Sequence, residues 1–310
     1  MKGAFLRLFS RRSPAPVFMT GNRKGCGTDF PIDEALELVR AALREDVGPG
    51  DWTTLWTVPP EVRARGRISS KEEGIICGLK AAELAFREVD HRIAFRTELQ
   101  DGSRVRLGDA ISEVKGPARG MLTAERTALN FLQRLSGIAT LTARYVEAVW
   151  GTGAKILDTR KTTPGWRLLE KYAVRCGGGE NHRIGLYDMV LIKDNHIALA
   201  GGIAEAVGRV REGMGTEKLK VEVEVRTLEE LEEALASGVD RVLLDNMSPE
   251  EVKEAVRFVR SRGEVEVEAS GGISLENVRA YAEAGVDYIS VGALTHSADA
   301  LDISMDIYLL

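Results

Sequence analysis

Two rhythms of apolar and polar positions divide this chain. Residues 31–45 carry a helical stripe of Ile32, Ala35, Leu36, Val39 and Leu43, with Pro31 at the first position. The run Glu45-Asp46-Val47-Gly48-Pro49-Gly50-Asp51 breaks it. Between residues 62 and 120 the pattern shortens to alternating runs such as Ile93-Ala94-Phe95-Arg96-Thr97-Glu98-Leu99. These end at Asp101-Gly102 or Lys115-Gly116-Pro117, with one helix near 79–89. The pattern predicts a small α+β domain with an antiparallel sheet. Apolar residues spaced by three and four from Ala124 to Val149 predict a long helix, with Gly137 as the place where it kinks or divides.

From residue 154 strands and helices alternate. Strand-like runs at 154–159, 189–192, 220–225, 241–244, 265–269 and 288–291 are separated by helical stretches. Such βα units predict a parallel sheet. No Gly-x-Gly-x-x-Gly follows the first strand, which favours a closed or nearly closed barrel over a dinucleotide-binding sheet. Six strands fall short of the eight of a standard barrel. The domains expected are a tail over 1–30, an α+β domain over 31–133 and a barrel over 134–310.

Charge sharpens this picture. Val221-Glu222-Val223-Glu224-Val225 alternates strictly, which turns Glu222 and Glu224 into the barrel if the valines meet the helices. Glu264, Glu266 and Glu268 repeat the pattern, and Ser270 continues it. Buried carboxylates need cations or a metal. Cations stand at the strand ends, where barrels carry their chemistry. Asp158-Thr159-Arg160-Lys161-Thr162 closes the first strand, Lys193-Asp194-Asn195-His196 the second, Glu224 the third and Asp245-Asn246 the fourth. Between the first two strands runs Cys176-Gly177-Gly178-Gly179-Glu180-Asn181-His182-Arg183. Its glycines suit a backbone that brings His182 and Arg183 over a pocket. Ser270-Gly271-Gly272-Ile273 and Val291-Gly292-Ala293 follow the last two strands and can cradle a phosphate on backbone N–H groups. Arg160, Lys161, His182, Arg183 and Lys193 thus face Glu224 and Asp245. Such a site wants a polyanionic substrate with a phosphate and a divalent metal.

Composition excludes several classes. Of 310 residues, 44% are hydrophobic and 29% charged, as in a globular enzyme rather than a disordered or fibrous chain. No apolar run approaches the ~18 residues of a membrane span. Residues 1–28 hold six basic residues and no acid, so the remainder carries a net charge of −11. That balance argues against nucleic-acid binding by the body. The basic start reads as a solvated tail, with a transit peptide as the other possibility. Cys26, Cys77 and Cys176 form no CxxC, which suits a reducing, cytoplasmic setting and no structural zinc.

At this point the motifs resemble a known family, quinolinate phosphoribosyltransferase. The resemblance rests on Asp158-Thr159-Arg160-Lys161-Thr162, the Gly-Gly-Gly-Glu-Asn-His-Arg run and Leu191-Ile192-Lys193-Asp194-Asn195-His196. Leu244-Asp245-Asn246, Ser270-Gly271-Gly272-Ile273, Ala124-Glu125-Arg126-Thr127-Ala128-Leu129-Asn130 and Glu45 to Asp51 add to it. It spans residue 32 to the end. It implies an N-terminal open-faced sandwich, an incomplete α/β barrel and a homodimer or higher assembly. The implied reaction joins quinolinate to phosphoribosyl pyrophosphate with Mg²⁺, giving nicotinate mononucleotide, pyrophosphate and carbon dioxide. By the same resemblance Arg126, Arg160, His182, Arg183 and Lys193 hold the quinolinate carboxylates, with Arg126 reaching a neighbouring subunit. Lys161, Glu224, Asp245, Ser270, Gly271, Gly272 and Gly292 surround the phosphoribosyl group, and Thr159 joins the binding set.

Lys161, Lys193, Glu224 and Asp245 form the candidate catalytic group. Glu224 and Asp245 either stabilise an oxocarbenium-like ribose or hold Mg²⁺. The alternative function is a phosphoribosyltransferase-like paralogue with another substrate. A Schiff-base aldolase on Lys193 is disfavoured, because its carbonyl chemistry needs no cluster of arginines.

Overall fold

The computed structural model describes residues 30–310. Its N-terminal part begins with α1 (Ile32–Val47), which buries Ala35, Val39 and Leu43 of the expected stripe. α2 (Trp52–Thr57) starts at Asp51, whose carboxylate accepts from the Thr54 N–H at 3.0 Å. β1 (Arg63–Ser70), β2 (Gly74–Ile75), α3 (Leu79–Val89), β3 (Ala94–Arg96), β4 (Arg104–Val105) and β5 (Ala110–Pro117) follow. β1 buries Ala64, Gly66 and Ile68 and exposes Arg63, Arg65 and Arg67, so this antiparallel sheet has one covered and one open face.

α4 (Ala118–Ala148) then runs unbroken for 31 residues. Gly137 does not divide it. A Cβ built on Gly137 would lie 1.9 Å from the Asp299 carbonyl oxygen, so the glycine instead lets a distant segment cross against the helix.

The catalytic-looking half alternates as its pattern predicts. Its first units are β6 (Lys155–Leu157), α5 (Arg167–Cys176), β7 (Val190–Ile192), α6 (Asp194–Ala200) and α7 (Ile203–Met214). β8 (Val221–Val225), α8 (Leu228–Ala236), β9 (Arg241–Asp245) and α9 (Pro249–Arg260) continue it. β10 (Glu266–Ser270), α10 (Val278–Glu283), β11 (Tyr288–Ser290) and α11 (Ala293–His296) complete it. The parallel strand order is β6-β11-β10-β9-β8-β7. β6 and β7 are therefore the two sheet edges, and the barrel stays open between them. The loop after α5 enters that seam. Its Glu180 N–H donates to Ile156 O at 2.8 Å, beside β6.

One expected boundary changes. Residues 134–310 were assigned to the barrel, but β12 (Ile303–Leu309) pairs antiparallel with β1, from Ala64 opposite Leu309 to Ser70 opposite Ile303. The last strand thus leaves the barrel and joins the N-terminal sheet. Ile303 and Met305 turn into the core, and β1 gains a partner on its other side. Glu264, expected inside the barrel, precedes β10 and is exposed.

The expected basic tail lies outside the described residues up to residue 29. Phe30, counted with it, packs edge-on against Tyr172 with ring centroids 5.1 Å apart. Cys77 is buried and free, whereas Cys176 is disulfide-bonded, which departs from the expectation of reduced thiols throughout. No described helix is long and apolar enough to cross a membrane.

The Gly137→Ala change should be costly, because the opposing atoms are backbone and cannot rotate away. Forced overpacking of this kind costs about 1–3 kcal/mol or more. A thermal melt should show a fall of several degrees. An unchanged melting temperature would mean that the segment at Asp299 is held loosely.

Candidate active site

A cavity of about 680 Å³ opens at the C-terminal ends of the barrel strands. Thr159, Arg160, Lys161, His182, Arg183, Lys193, Glu224, Asp245, Ser270, Gly271, Gly272 and Gly292 all line it. These are the residues expected from the strand ends, and only Arg126 is missing. Arg126 sits exposed on α4, outside this cavity.

The loop carrying His182 and Arg183 is fixed by a buried anchor. Lys171, from the inner face of α5, donates to Asp158 at the end of β6 and to the His182 carbonyl at 2.9 Å. Asp158 also accepts from the Asn181 side chain at 2.6 Å and from the His182 N–H at 2.9 Å. Asp158 is fully buried, and every bond it accepts draws the loop across the open seam. A Cβ on Gly177 would meet the Ala139 carbonyl at 2.4 Å and one on Gly179 the Thr142 side chain at 2.9 Å, so these two are packing requirements against α4, while Gly178 has a left-handed φ of 91°.

His182 turns inward. Its Nδ1 accepts from the Arg183 N–H at 2.7 Å. Its Nε2 lies 3.1 Å from Glu222 and 3.5 Å from Glu268. Burial holds the imidazole below its ordinary pKa, so the neutral ring carries its proton on Nε2, facing the carboxyls. Both carboxyls are pushed up to about 7, mainly by burial, and for Glu268 also by the charge of Glu222. Ser290 donates to Glu268, and Arg241 Nη1 reaches it at 3.1 Å. This confirms the inward parity of Glu222 and Glu268. The sequence reading placed neither among the site residues, although Glu268 lines the cavity.

Above this floor the cations are crowded. Arg183 is held below its ordinary pKa by burial and by the neighbouring Arg160 guanidinium. Arg160 Nε is buried with no hydrogen-bond partner, and Arg183 Nη1 donates to the Met189 carbonyl at 3.1 Å. Lys193 Nζ lies 2.8 Å from Glu224 Oε2. Arg226 spans Glu224, Asp194 and Asp245 at 3.2–3.4 Å.

Opposite, Gly271 and Gly272 adopt left-handed φ values of +95° and +63°. A Cβ on Gly271 would lie 2.3 Å from Asn246 Oδ1. Asn246 is itself left-handed at φ 57°, the sole non-glycine with positive φ among the described residues, and donates to Asp245 at 2.9 Å. Backbone N–H groups in such turns suit a phosphate. The Lys161 side chain borders Gly292 on this side.

Sequence reasoning missed Asp158, Lys171 and Arg241 as supporting residues. It also left out Asn246 and His296, which line the cavity. The Asp-Asn pair at a strand end was a usable signal. Lys171 gave none, since a lysine on a short helix ordinarily faces water.

Comparison with known proteins gives the family. Residues 138–306 match the model of the quinolinate phosphoribosyl transferase C-terminal domain, and residues 51–136 match that of the N-terminal domain. The chain is 47% identical over 287 residues to a nicotinate-nucleotide pyrophosphorylase [carboxylating] of Mycobacterium leprae, covering 90% of this chain and 99% of that one. It is 45% identical over 273 residues to a probable enzyme of the same name from Bacillus subtilis, covering 88% and 93%. It superposes on a crystal structure of NadC from Streptococcus pyogenes with a TM-score of 0.87 at 42% identity, over 92% of this chain and all of the other.

The buried floor sets a pH dependence. The folded protein holds the Glu268 proton to about pH 7, whereas the unfolded carboxyl releases it near about 4.3. Stability tied to that proton is complete below the unfolded pKa and declines as pH rises through 7. Glu268→Gln mimics the protonated form, so it should raise the melting temperature at pH 8 and do less at pH 5. A gain of about 1 kcal/mol corresponds to roughly 2–4 °C. An equal effect at both pH values would show that Glu268 does not hold a proton in this range.

Proposed function

The chain belongs to the quinolinate phosphoribosyltransferase family, and from that premise we propose how its cavity divides the work of the reaction. The reaction transfers phosphoribosyl from phosphoribosyl pyrophosphate to quinolinate with loss of carbon dioxide, giving nicotinate mononucleotide and pyrophosphate. The observation that carries the assignment of residues is the meeting, in one cavity, of crowded guanidiniums, two carboxylates and a glycine-lined turn.

Quinolinate brings two adjacent carboxylates. Arg160 and Arg183 receive them, because planar guanidiniums pair with carboxylates through two bonds and each relieves the repulsion between these arginines. Lys193 completes the pocket, and His182 with its buried carboxyls closes the floor. The phosphoribosyl group lies toward Ser270, Gly271, Gly272 and Gly292, with Thr159 and Lys161 beside it.

Departure of pyrophosphate leaves positive charge at ribose C1, which Glu224 and Asp245 stabilise. Once the ring nitrogen is ribosylated it is cationic, and the adjacent carboxylate leaves its electron pair next to that charge. A proton then takes the place of the lost carboxylate. Lys161 stands on the phosphate side, so Lys193 is the lysine placed nearer the ring.

Glu224 and Asp245 at adjacent strand ends also offer the oxygen donors that Mg²⁺ takes. Bound there, Mg²⁺ would neutralise the leaving pyrophosphate.

Arg126 is exposed and does not line its own cavity, and this supports a dimer in which it serves the neighbouring subunit. Arg126→Ala should weaken quinolinate binding about tenfold or more, as a charged hydrogen bond is worth roughly 1.5–3 kcal/mol. Mixing Arg126→Ala with Lys161→Ala subunits should restore activity, since one site of each mixed dimer then carries neither lesion. No recovery after demonstrated subunit exchange would place Arg126 in its own site or in structure alone.

Carbon dioxide release from carboxyl-labelled quinolinate should depend strictly on phosphoribosyl pyrophosphate. No release with both substrates present would overturn the reading. Asp245→Ala should lower turnover roughly a hundredfold, the scale of a lost transition-state contact, and leave calorimetric binding of quinolinate alone near wild type. Complete loss of that binding would remove Asp245 from the phosphoribosyl side.

A further inference from the structure

Arg226, immediately after β8, has no part in the reaction as described. Yet its guanidinium occupies the centre of a carboxylate group at the ends of β8 and β9, in a recess lined by Asp194, Glu224 and Glu230 that shares Glu224 with the active-site cavity. Nε lies 3.2 Å from Asp245 Oδ2, and Nη2 lies 3.2 Å from Asp194 Oδ2 and 3.4 Å from Glu224 Oε1. Lys193 takes the other oxygen of Glu224 at 2.8 Å. Both oxygens of Glu224 and one of Asp245 thus face cations that the chain itself supplies.

The backbone of Arg226 is fixed, while its side chain reaches the carboxylates from the solvent side. Its N–H donates to Glu230 at 2.7 Å, and Thr227 beside it caps α8. The side chain is half exposed, at 52%. The guanidinium can leave the carboxylates by rotation about its own bonds, without disturbing β8 or α8.

A divalent ion and a guanidinium compete for these oxygens. Both are cations drawn to the same carboxylates, and each repels the other at this separation. We propose that Arg226 is a resident counter-cation for Glu224 and Asp245, so that the substrate-free protein binds a divalent ion weakly until Arg226 moves away. This rests on the reading that Glu224 and Asp245 hold the metal. A pyrophosphate group arriving at these strand ends offers the guanidinium an anion of equal fit, because planar guanidiniums pair with phosphate as they do with carboxylate. The metal would then load with the phosphorylated substrate rather than before it.

The test is a Mn²⁺ titration of the full, substrate-free protein, followed by the electron-paramagnetic-resonance signal of free Mn²⁺. Arg226→Gln should bind Mn²⁺ roughly tenfold or more tightly than wild type, as removal of one neighbouring positive charge implies. Arg226→Lys keeps the charge and should stay near wild type. The gain should vanish in the double variant Arg226→Gln with Asp245→Asn. Unchanged or weaker binding by Arg226→Gln overturns the counter-cation role while leaving the metal reading intact, and tight binding by Arg226→Lys overturns it equally. A gain that survives Asp245→Asn places the ion elsewhere and overturns the metal reading itself. A melting temperature equal to wild type shows that each variant is folded.

Discussion

The buried ion pair between Lys171 and Asp158 is the constraint on which the site depends. A barrel of six strands leaves a seam between β6 and β7, and the loop at 177–183 has to cross it. Two charges inside a protein are expensive unless every lone pair and proton is used. Here Asp158 also takes the Asn181 amide and the His182 N–H, while Lys171 also meets the His182 carbonyl. The pair is tolerable only with the loop in place, and the loop has its conformation only with the pair. Removing one partner of such a pair typically costs about 3–5 kcal/mol. His182 and Arg183 owe their positions to this mutual dependence.

Charge is grouped around the cavity. The floor holds carboxyls that keep protons near neutrality, with Arg241 beneath. Arg160 and Arg183 crowd one another, while Glu224 and Asp245 are already matched with cations. The repulsion between the two arginines favours a doubly negative ring beside them. The glycine turns sit to one side of these charges and present neutral N–H groups rather than further charge. That separation lets one cavity take a dicarboxylate and a phosphate without confusing them.

Much of this was legible in the sequence because periodicity survives burial. Alternation in Val221 to Val225 set the inward face of β8, and polar residues at successive strand ends marked the cavity. Legibility failed where a residue's partner is remote in the chain. Gly137 reads as a helix breaker until Asp299 is seen against it. Lys171 reads as a surface charge until Asp158 is seen beneath it. Glu264 continued a correct alternation past the point where the strand begins, and periodicity carries no end signal of its own. Residues 303–309 alternate plainly, but nothing local says which sheet they join.

That last pairing orders events in time. β1 is made early, and its outer neighbour β12 emerges more than two hundred residues later. On the ribosome the N-terminal sheet therefore waits, with an unpaired edge, until the barrel has been synthesised. Contacts so distant in sequence slow folding, because a long loop must close before they form. The barrel has the shorter-range contacts and is suited to form first, and its completion carries β12 back to the waiting strand. The first domain to be translated becomes the last to be finished, and exposed strand edges during that interval are where association with other nascent chains would begin.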